Sequence, residues 1–464
     1  MSGTSSVRVT AERLARFDRP GPRYTSYPTA VEFNERFTAD LYVDRLLQAS
    51  ELPDEPLSLY LHLPFCEERC YFCGCNVIIT RKPEVSVRYL EGLHREVRLI
   101  AKLLGRRRKV NQYHWGGGTP TYLSPDQMAR LHAVVAEEFE FTPDAEIAIE
   151  VDPRVTTGEQ VELLRRLGWN RISMGVQDFD PTVQEAVNRV QPFETTRDLF
   201  RQCRDAGFGS INLDLIYGLP NQRPETFRHT VEQVVGLRPD RVACYSYAYV
   251  PWIKHNQKGI NPEELPTREV KFELLATAIE GFLSSGYVQV GMDHFALETD
   301  ELAVAMRAGR LYRNFMGYTV MPAADQVGLG VSSISDVRGA FAQNTKKLPA
   351  YYGAVDAGRP PVERGYALVG DDALRRDVIM QIMCNFRVDI PAVERRWGVD
   401  FESTFARELQ ALREGPGADG LVRVAPGVLE CTEDGRLFVR LVAMHFDRYL
   451  KESTPDKPVY SRTV

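Results

Sequence analysis

The sequence predicts an α/β fold: a partial (β/α)6 barrel with an N-terminal arm and a small, mostly helical, winged-helix-like C-terminal domain. Three observations predict it. Short apolar runs alternate with amphipathic stretches through six repeats from residue 57 onward, which implies parallel strands joined by right-handed crossovers. The residues with unusual chemistry gather where those apolar runs end, the rim at which parallel sheets bind ligands. Past residue 370 the alternation gives way to helical patterns around one Pro-Gly turn.

The candidate strands are Leu57–Leu63, Val110–Trp115, Glu146–Val151, Arg171–Val176, Ser210–Ile216 and Arg241–Tyr247. Between them, SVRYLEGLHREVRLIAKLL and GEQVELLRRLG place apolar residues at helical spacing. Six units are fewer than the eight that close a barrel, so a partial barrel or an open doubly wound sheet fits. Residues 1–55 lack the alternation and read as an arm or lid; PGPRYTSYPTA (20–30) holds three prolines, which impose extended backbone. Residues 56–369 form the expected catalytic domain, with the barrel core over 56–250, and 370–464 the C-terminal domain. There DDALRRDVIMQIMCNFRVD reads as a helix, GLVRVAPGVLECT as a hairpin and EDGRLFVRLVAMHFDRYL as a second helix.

The 464 residues are 44% hydrophobic and 26% charged, the balance of a globular protein. No apolar run reaches the length of a membrane span, and MSGTSSVRVTAERLARF has no apolar stretch of signal-peptide length. Clustered cysteines that must stay reduced then point to the cytoplasm. A net charge of −6 argues against nucleic acid as a partner. The run Arg106–Lys109 (RRRK) is expected to be a solvated connector.

Four of the eight cysteines, Cys66, Cys70, Cys73 and Cys75, fall within LHLPFCEERCYFCGCN. Three thiolates spaced C-x3-C-x2-C on one loop can hold three irons of a cubane cluster and leave the fourth without a protein ligand. A structural zinc usually draws paired ligands from separated segments, and no such partner lies downstream. A disulfide scaffold needs a denser cysteine content. Cys75 follows Cys73 too closely to wrap the same metal with ease, and Cys203, Cys244, Cys384 and Cys431 sit singly in apolar settings as buried small hydrophobes.

Tyr60 and His62 alternate on the first strand, so both face one side while Leu59, Leu61 and Leu63 face the other. The loop WGGGTP (115–120) is neither a P-loop nor G-x-G-x-x-G. Its glycines are expected to let a ligand lie against the backbone and meet free N–H groups. Glu150 and Asp214, each near a strand end, suit an ammonium or a ribose hydroxyl, and Arg189 a carboxylate.

The cysteine spacing after a strand, followed by the glycine-rich strand end, resembles the radical S-adenosylmethionine enzymes. Within that superfamily PRYTSYPTA, YLHLPFCEERCYFCGCN, WGGGTPTYL, IEVDPR, MGVQDF, DLIYGLP, GMDHFA, RNFMGY and CNFR are similar to the oxygen-independent coproporphyrinogen III oxidase family. The resemblance implies a radical S-adenosylmethionine barrel in which Cys66, Cys70 and Cys73 hold one [4Fe–4S] cluster. Tyr60, Gly117, Glu150 and Ile334 would contact the cluster-bound S-adenosylmethionine. Phe72, Gly118, Thr119, Gln177, Arg189, Asp214 and Ala248 would surround a second molecule of it. Cys75 matches a fourth cysteine that is not a ligand. The implied reaction converts two propionates of coproporphyrinogen III to vinyl groups, giving protoporphyrinogen IX, with electrons from a donor such as flavodoxin or ferredoxin. On the substrate side stand His62, Cys75, Arg23 and Arg313, with Arg387 behind them. A monomer is expected. The rival reading is a haem chaperone of the same superfamily that binds haem without oxidising porphyrinogens.

Overall fold

The computed structural model describes residues 16–17, 19–450, 460 and 462. Six parallel strands lie side by side in chain order: β1 (Leu57–Leu63), β2 (Lys109–Gly117), β3 (Glu140–Val151), β4 (Arg171–Gln177), β5 (Ser210–Tyr217) and β6 (Arg241–Ser246). Each predicted strand lies inside its observed counterpart or overshoots it by one residue. Because every new strand adds to the same edge, right-handed crossovers put all the helices on one face. A doubly wound sheet would reverse its order about a switch point, so the partial barrel is the form adopted.

The crossover helices α2 (Pro83–Leu103), after α1 (Ala39–Ser50) described below, α3 (Pro125–Glu138), α4 (Gly158–Arg166) and α5 (Phe193–Asp205) pack against one another in succession around the outside. Leu59, Leu61 and Leu63 of β1 are fully buried in one core with Leu93, Val97 and Ile100 of α2, each such leucine contributing about 1.5–3 kcal/mol. The alternate residues of the strands face the inside of the barrel, where the polar side chains stand.

The sheet extends beyond the six predicted strands to twelve. On the β6 side, β8 (His294–Leu297) pairs antiparallel with β6, and β7 (Tyr287–Val290) with β8. On the β1 side, β9 (Asp325–Leu329) pairs parallel with β1, followed by antiparallel β10 (Ile334–Val337), β11 (Ala340–Asn344) and β12 (Val362–Ala367). The barrel therefore stays open.

Three expectations need correction. Residues 1–55 are not all arm: Thr38 caps α1, which buries Tyr42, Leu46 and Ala49. Arg107 is no solvated connector. It is completely buried, 2.5 Å from Asp325, and donates to the carbonyls of Ala49, Glu55 and Pro56, tying the end of α1 to β9. The predicted C-terminal helices are shorter than their runs. The first, Asp372–Asn385, stops where Phe386 turns left-handed, and Arg387–Asp389 becomes a strand beside the Val422–Ala425/Val428–Cys431 hairpin. The last run forms two pieces, Glu433–Arg436 and Val439–Met444. These elements share a second apolar core that takes in Tyr24 and Tyr27 of the arm. Among the described residues no helix is long and apolar enough to cross a membrane.

Candidate active site

β1 leaves the sheet at Pro64, and the cysteines follow on a closed loop. Phe65–Cys66 and Ile78–Ile79 pair at its neck, with the Ile78 N–H donating to the Pro64 carbonyl at 2.7 Å. The segment after β6 grips the loop backbone. Asn256 Nδ2 donates to the carbonyls of Cys70, Tyr71 and Cys73 at 3.3, 2.9 and 3.0 Å, and Gln257 Nε2 bridges the carbonyls of Phe72 and Ala248. With those carbonyls spent on the grip, Cys66, Cys70, Cys73 and Cys75 all line one cavity of about 480 Å³ at the C-terminal ends of the strands. Among the described residues no three His, Cys, Asp or Glu side chains close around a single-ion point. The thiols instead share the wall of a space large enough for a polynuclear group, and soft thiols are its usual ligands.

The thiols are not equivalent. Burial pushes Cys66 up to about 11, against a contact of 3.5 Å with the Thr119 hydroxyl. The Cys75 thiol donates to Cys73, whose own thiol falls to about 6 with help from burial-opposing contacts to the Cys75 amide, Lys254 and Arg69. Cys75 is held protonated by that donation, so it supports Cys73 from outside. Cys70 lies 3.8 Å from Arg154 Nη2 and 3.6 Å from Arg189 Nη1.

Two carboxylates at strand ends, Glu150 and Asp214, line the same cavity. Burial disfavours the charge on Glu150, but His114 Nε2 at 3.2 Å and the Gly117 N–H at 3.2 Å outweigh it and leave the carboxyl below its ordinary value. Asp214 goes the other way. Burial and the neighbouring Glu150 charge raise it to about 6, although Ser173 and Asn212 donate to it. Among the described residues neither has an arginine or lysine at ion-pair distance. These two acids thus offer negative charge with no arginine or lysine of their own, whereas Arg154 and Arg189 on the same cavity are paired with Asp152.

The glycine loop has a different purpose from the one expected. The N–H groups of Gly117, Gly118 and Thr119 already donate to Glu150, to the Leu63 carbonyl and to the Phe65 carbonyl. A Cβ on Gly117 (φ +113°) would lie 2.6 Å from the His62 ring, and one on Gly118 2.7 Å from the Pro64–Phe65 backbone. The glycines let two strand ends and Glu150 close together; they do not form a nest of free amides.

Of the sequence candidates, Phe72, Gly117, Gly118, Thr119, Glu150, Gln177, Arg189 and Asp214 line the cavity with the cysteines. Tyr60, His62, Ala248 and Ile334 do not line it. The Tyr60 hydroxyl donates to His62 Nδ1 at 3.1 Å, and His62 Nε2–H to the Asn76 carbonyl at 2.9 Å, which fixes a neutral ring. Ala248 is bonded to the loop grip, and Ile334 opens β10. Arg23 and Arg313 line neither this cavity nor a second, smaller chamber of about 130 Å³ that shares Glu150, Ser173 and Asp214 with it; they sit behind Tyr245 and Tyr318 of that chamber's wall. Arg23 pairs with Asp293 and lies over the Tyr245 ring, while Arg313 donates to the Arg23 carbonyl at 2.6 Å and lies over Tyr318. Arg387 is exposed on its short strand in the C-terminal region. Sequence reasoning missed His114, Asp152 and Arg154. The last two follow β3 in IEVDPR, so the strand-end criterion that found Glu150 applied equally to them.

Residues 60–234 match the model of the radical SAM superfamily, and residues 368–438 that of the HemN C-terminal domain. The chain is 46% identical over 440 residues to the oxygen-independent coproporphyrinogen III oxidase of Salmonella typhimurium, covering 95% of each chain. It is 42% identical over 464 residues to that of Synechocystis, covering 99% of each. A solved structure described as coproporphyrinogen III oxidase (HemN) from Escherichia coli, a radical SAM enzyme, superposes with a TM-score of 0.88 at 47% identity, over 92% of this chain and 97% of that one. The chain belongs to the oxygen-independent coproporphyrinogen III oxidases of the radical S-adenosylmethionine superfamily.

Proposed function

We propose that this enzyme converts the two propionates of rings A and B of coproporphyrinogen III to vinyl groups, forming protoporphyrinogen IX without oxygen. One observation carries the reading: four thiols and two carboxylates, neither of them paired with an arginine or lysine among the described residues, share a single cavity at the strand ends. The thiols suit a [4Fe–4S] cluster held by Cys66, Cys70 and Cys73, and the carboxylates suit a ligand that brings an ammonium and a sulfonium. Bound together, they would supply a 5′-deoxyadenosyl radical to take a hydrogen atom from the propionate β-carbon; loss of CO2 and of one electron to an external acceptor would then leave the vinyl group.

The protein's own part is binding and orientation. Glu150, kept ionised by His114 and Gly117, receives the ammonium of the cluster-side S-adenosylmethionine, with Tyr60 and Ile334 bordering it. Asp214 accepts a ribose hydroxyl from a second molecule, whose carboxylate pairs with Arg189; Phe72, Gly118, Thr119, Gln177 and Ala248 complete that surround. Arg23 and Arg313 meet substrate carboxylates through charge-assisted bonds. His62 is neutral and holds Tyr60 rather than a proton in transit. Electrons arrive from a carrier such as flavodoxin or ferredoxin, and the enzyme works as a cytoplasmic monomer.

The test is anaerobic reconstitution with iron and sulfide, addition of coproporphyrinogen III, S-adenosylmethionine and reductant, and separation of the tetrapyrroles. A monovinyl intermediate followed by protoporphyrinogen IX is expected. Methionine formed with no change in the porphyrinogen would assign another substrate. Tight haem binding without either product would favour the chaperone.

A further inference from the structure

Cys70 differs from the other two ligand cysteines in what surrounds it. Cys66 has a threonine hydroxyl and Cys73 a neighbouring thiol, whereas Cys70 faces two guanidinium groups. Both are fastened by one carboxylate. Asp152, 7% exposed, accepts from Arg154 Nε at 3.0 Å and Nη2 at 2.7 Å, and from Arg189 Nη1 at 3.0 Å. Arg154 and Arg189 are thus pinned from behind while their N–H groups reach the sulfur, and two cations against one anion leave net positive charge there.

We infer that Asp152 and Arg154 are positioning residues that set the reduction potential of the cluster through the Cys70 sulfur. The inference rests on the cluster reading above. N–H groups aimed at a ligand sulfur and net charge beside it are the levers by which a protein moves such potentials, because reduction adds negative charge that a nearby cation stabilises. Arg189 could turn to a ligand carboxylate when the cavity fills, but Arg154 forks onto Asp152 through two of its nitrogens and stays at the sulfur. Radical generation needs an electron of low potential, and a cation at one corner makes that electron easier to load from a carrier.

The test is an EPR-monitored redox titration of the reconstituted full chain, with iron content measured alongside. Arg154→Gln should lower the midpoint potential so that, at fixed ambient potential, the reduced fraction falls about tenfold, which is about 59 mV for one electron. Arg154→Lys, which keeps the charge, should stay nearer the parent, and Asp152→Asn should move the potential upward. A loaded R154Q cluster titrating at the parent potential would overturn the inference, as would equal shifts in R154Q and R154K. If R154Q does not load, D152N decides: a potential equal to or below the parent's overturns it. Failure of the parent chain to bind iron and sulfide would strike the cluster reading instead.

Discussion

Two carboxylates four residues apart on β3 show how one barrel divides its work. Glu146 and Glu150 point to the same interior face. Deep in the barrel, Glu146 accepts from Gln112 Nε2 at 2.9 Å and lies 2.9 Å from Arg171 Nε, close but not aligned for a hydrogen bond. Arg171 also meets Glu301, and Arg241 pairs with both Glu301 and Asp300. Each acid there has an arginine at ion-pair distance, which offsets the cost of burying it. At the rim Glu150 has only His114 and a backbone amide, and Asp214 only neutral donors. Acids paired with arginines hold a fold together; a pair of acids without such partners, beside thiols, is a place for something cationic to bind.

Breaking the thiol side of that contrast should give the largest effect. Replacing Cys66, Cys70 or Cys73 by Ala should remove the cluster and lower turnover by at least about 10³-fold, the scale of losing the group on which the rate acceleration depends. Cys75→Ala should retain iron while shifting the behaviour of Cys73. Iron and sulfide content with anaerobic product analysis checks both. Next come the two glutamates. Glu150→Gln should weaken S-adenosylmethionine by about 30-fold, equivalent to about 2 kcal/mol for one partner of a buried charged contact. Glu146→Gln should leave that affinity near the parent's and lower the melting temperature instead. Equilibrium binding and thermal unfolding separate the pair.

A smaller effect is expected for Arg23→Ala. Removing one charge-assisted contact costs about 1.5 kcal/mol, so decarboxylation should fall roughly tenfold while methionine release from S-adenosylmethionine persists. If the two fall together, Arg23 supports the cofactor and not the substrate. The smallest effect is on pH. Asp214 is raised from 3.8 to about 6 in the folded protein, so the folded state binds more protons than the unfolded state between those values. Stability should therefore fall as pH rises from about 4 to 6 and level off above. Asp214→Asn should remove that slope in thermal unfolding measured across the range.

What could be read from the sequence follows physical range. The six parallel strands were legible because β-branched and apolar runs of six or more residues repeat between helices. The strands β7 to β12 were not: they are short, and a long apolar run is absent from segments such as YVQV or ISDV, whose pairing is decided by the edges already in place. Helix α1 had a readable signal in Thr38 and the spacing of Tyr42, Leu46 and Ala49. Arg107 had none, since its partner Asp325 is 218 residues away. At the site, the cysteines and strand-end acids announce themselves by type and spacing. The real task of the glycine loop, giving room to His62 and Pro64, depends on which strands adjoin and could not be read from GGG alone. Arg154 next to Cys70 is of the same kind, a contact across 84 residues.

The most direct measurement follows one atom. Coproporphyrinogen III deuterated at the propionate β-carbons would be turned over anaerobically by the reconstituted chain, and the 5′-deoxyadenosine examined by mass spectrometry. Deuterium in the nucleoside, together with vinyl products, is the expected result. Vinyl products formed with unlabelled 5′-deoxyadenosine would contradict the assignment of the rim as the place where the radical meets its substrate.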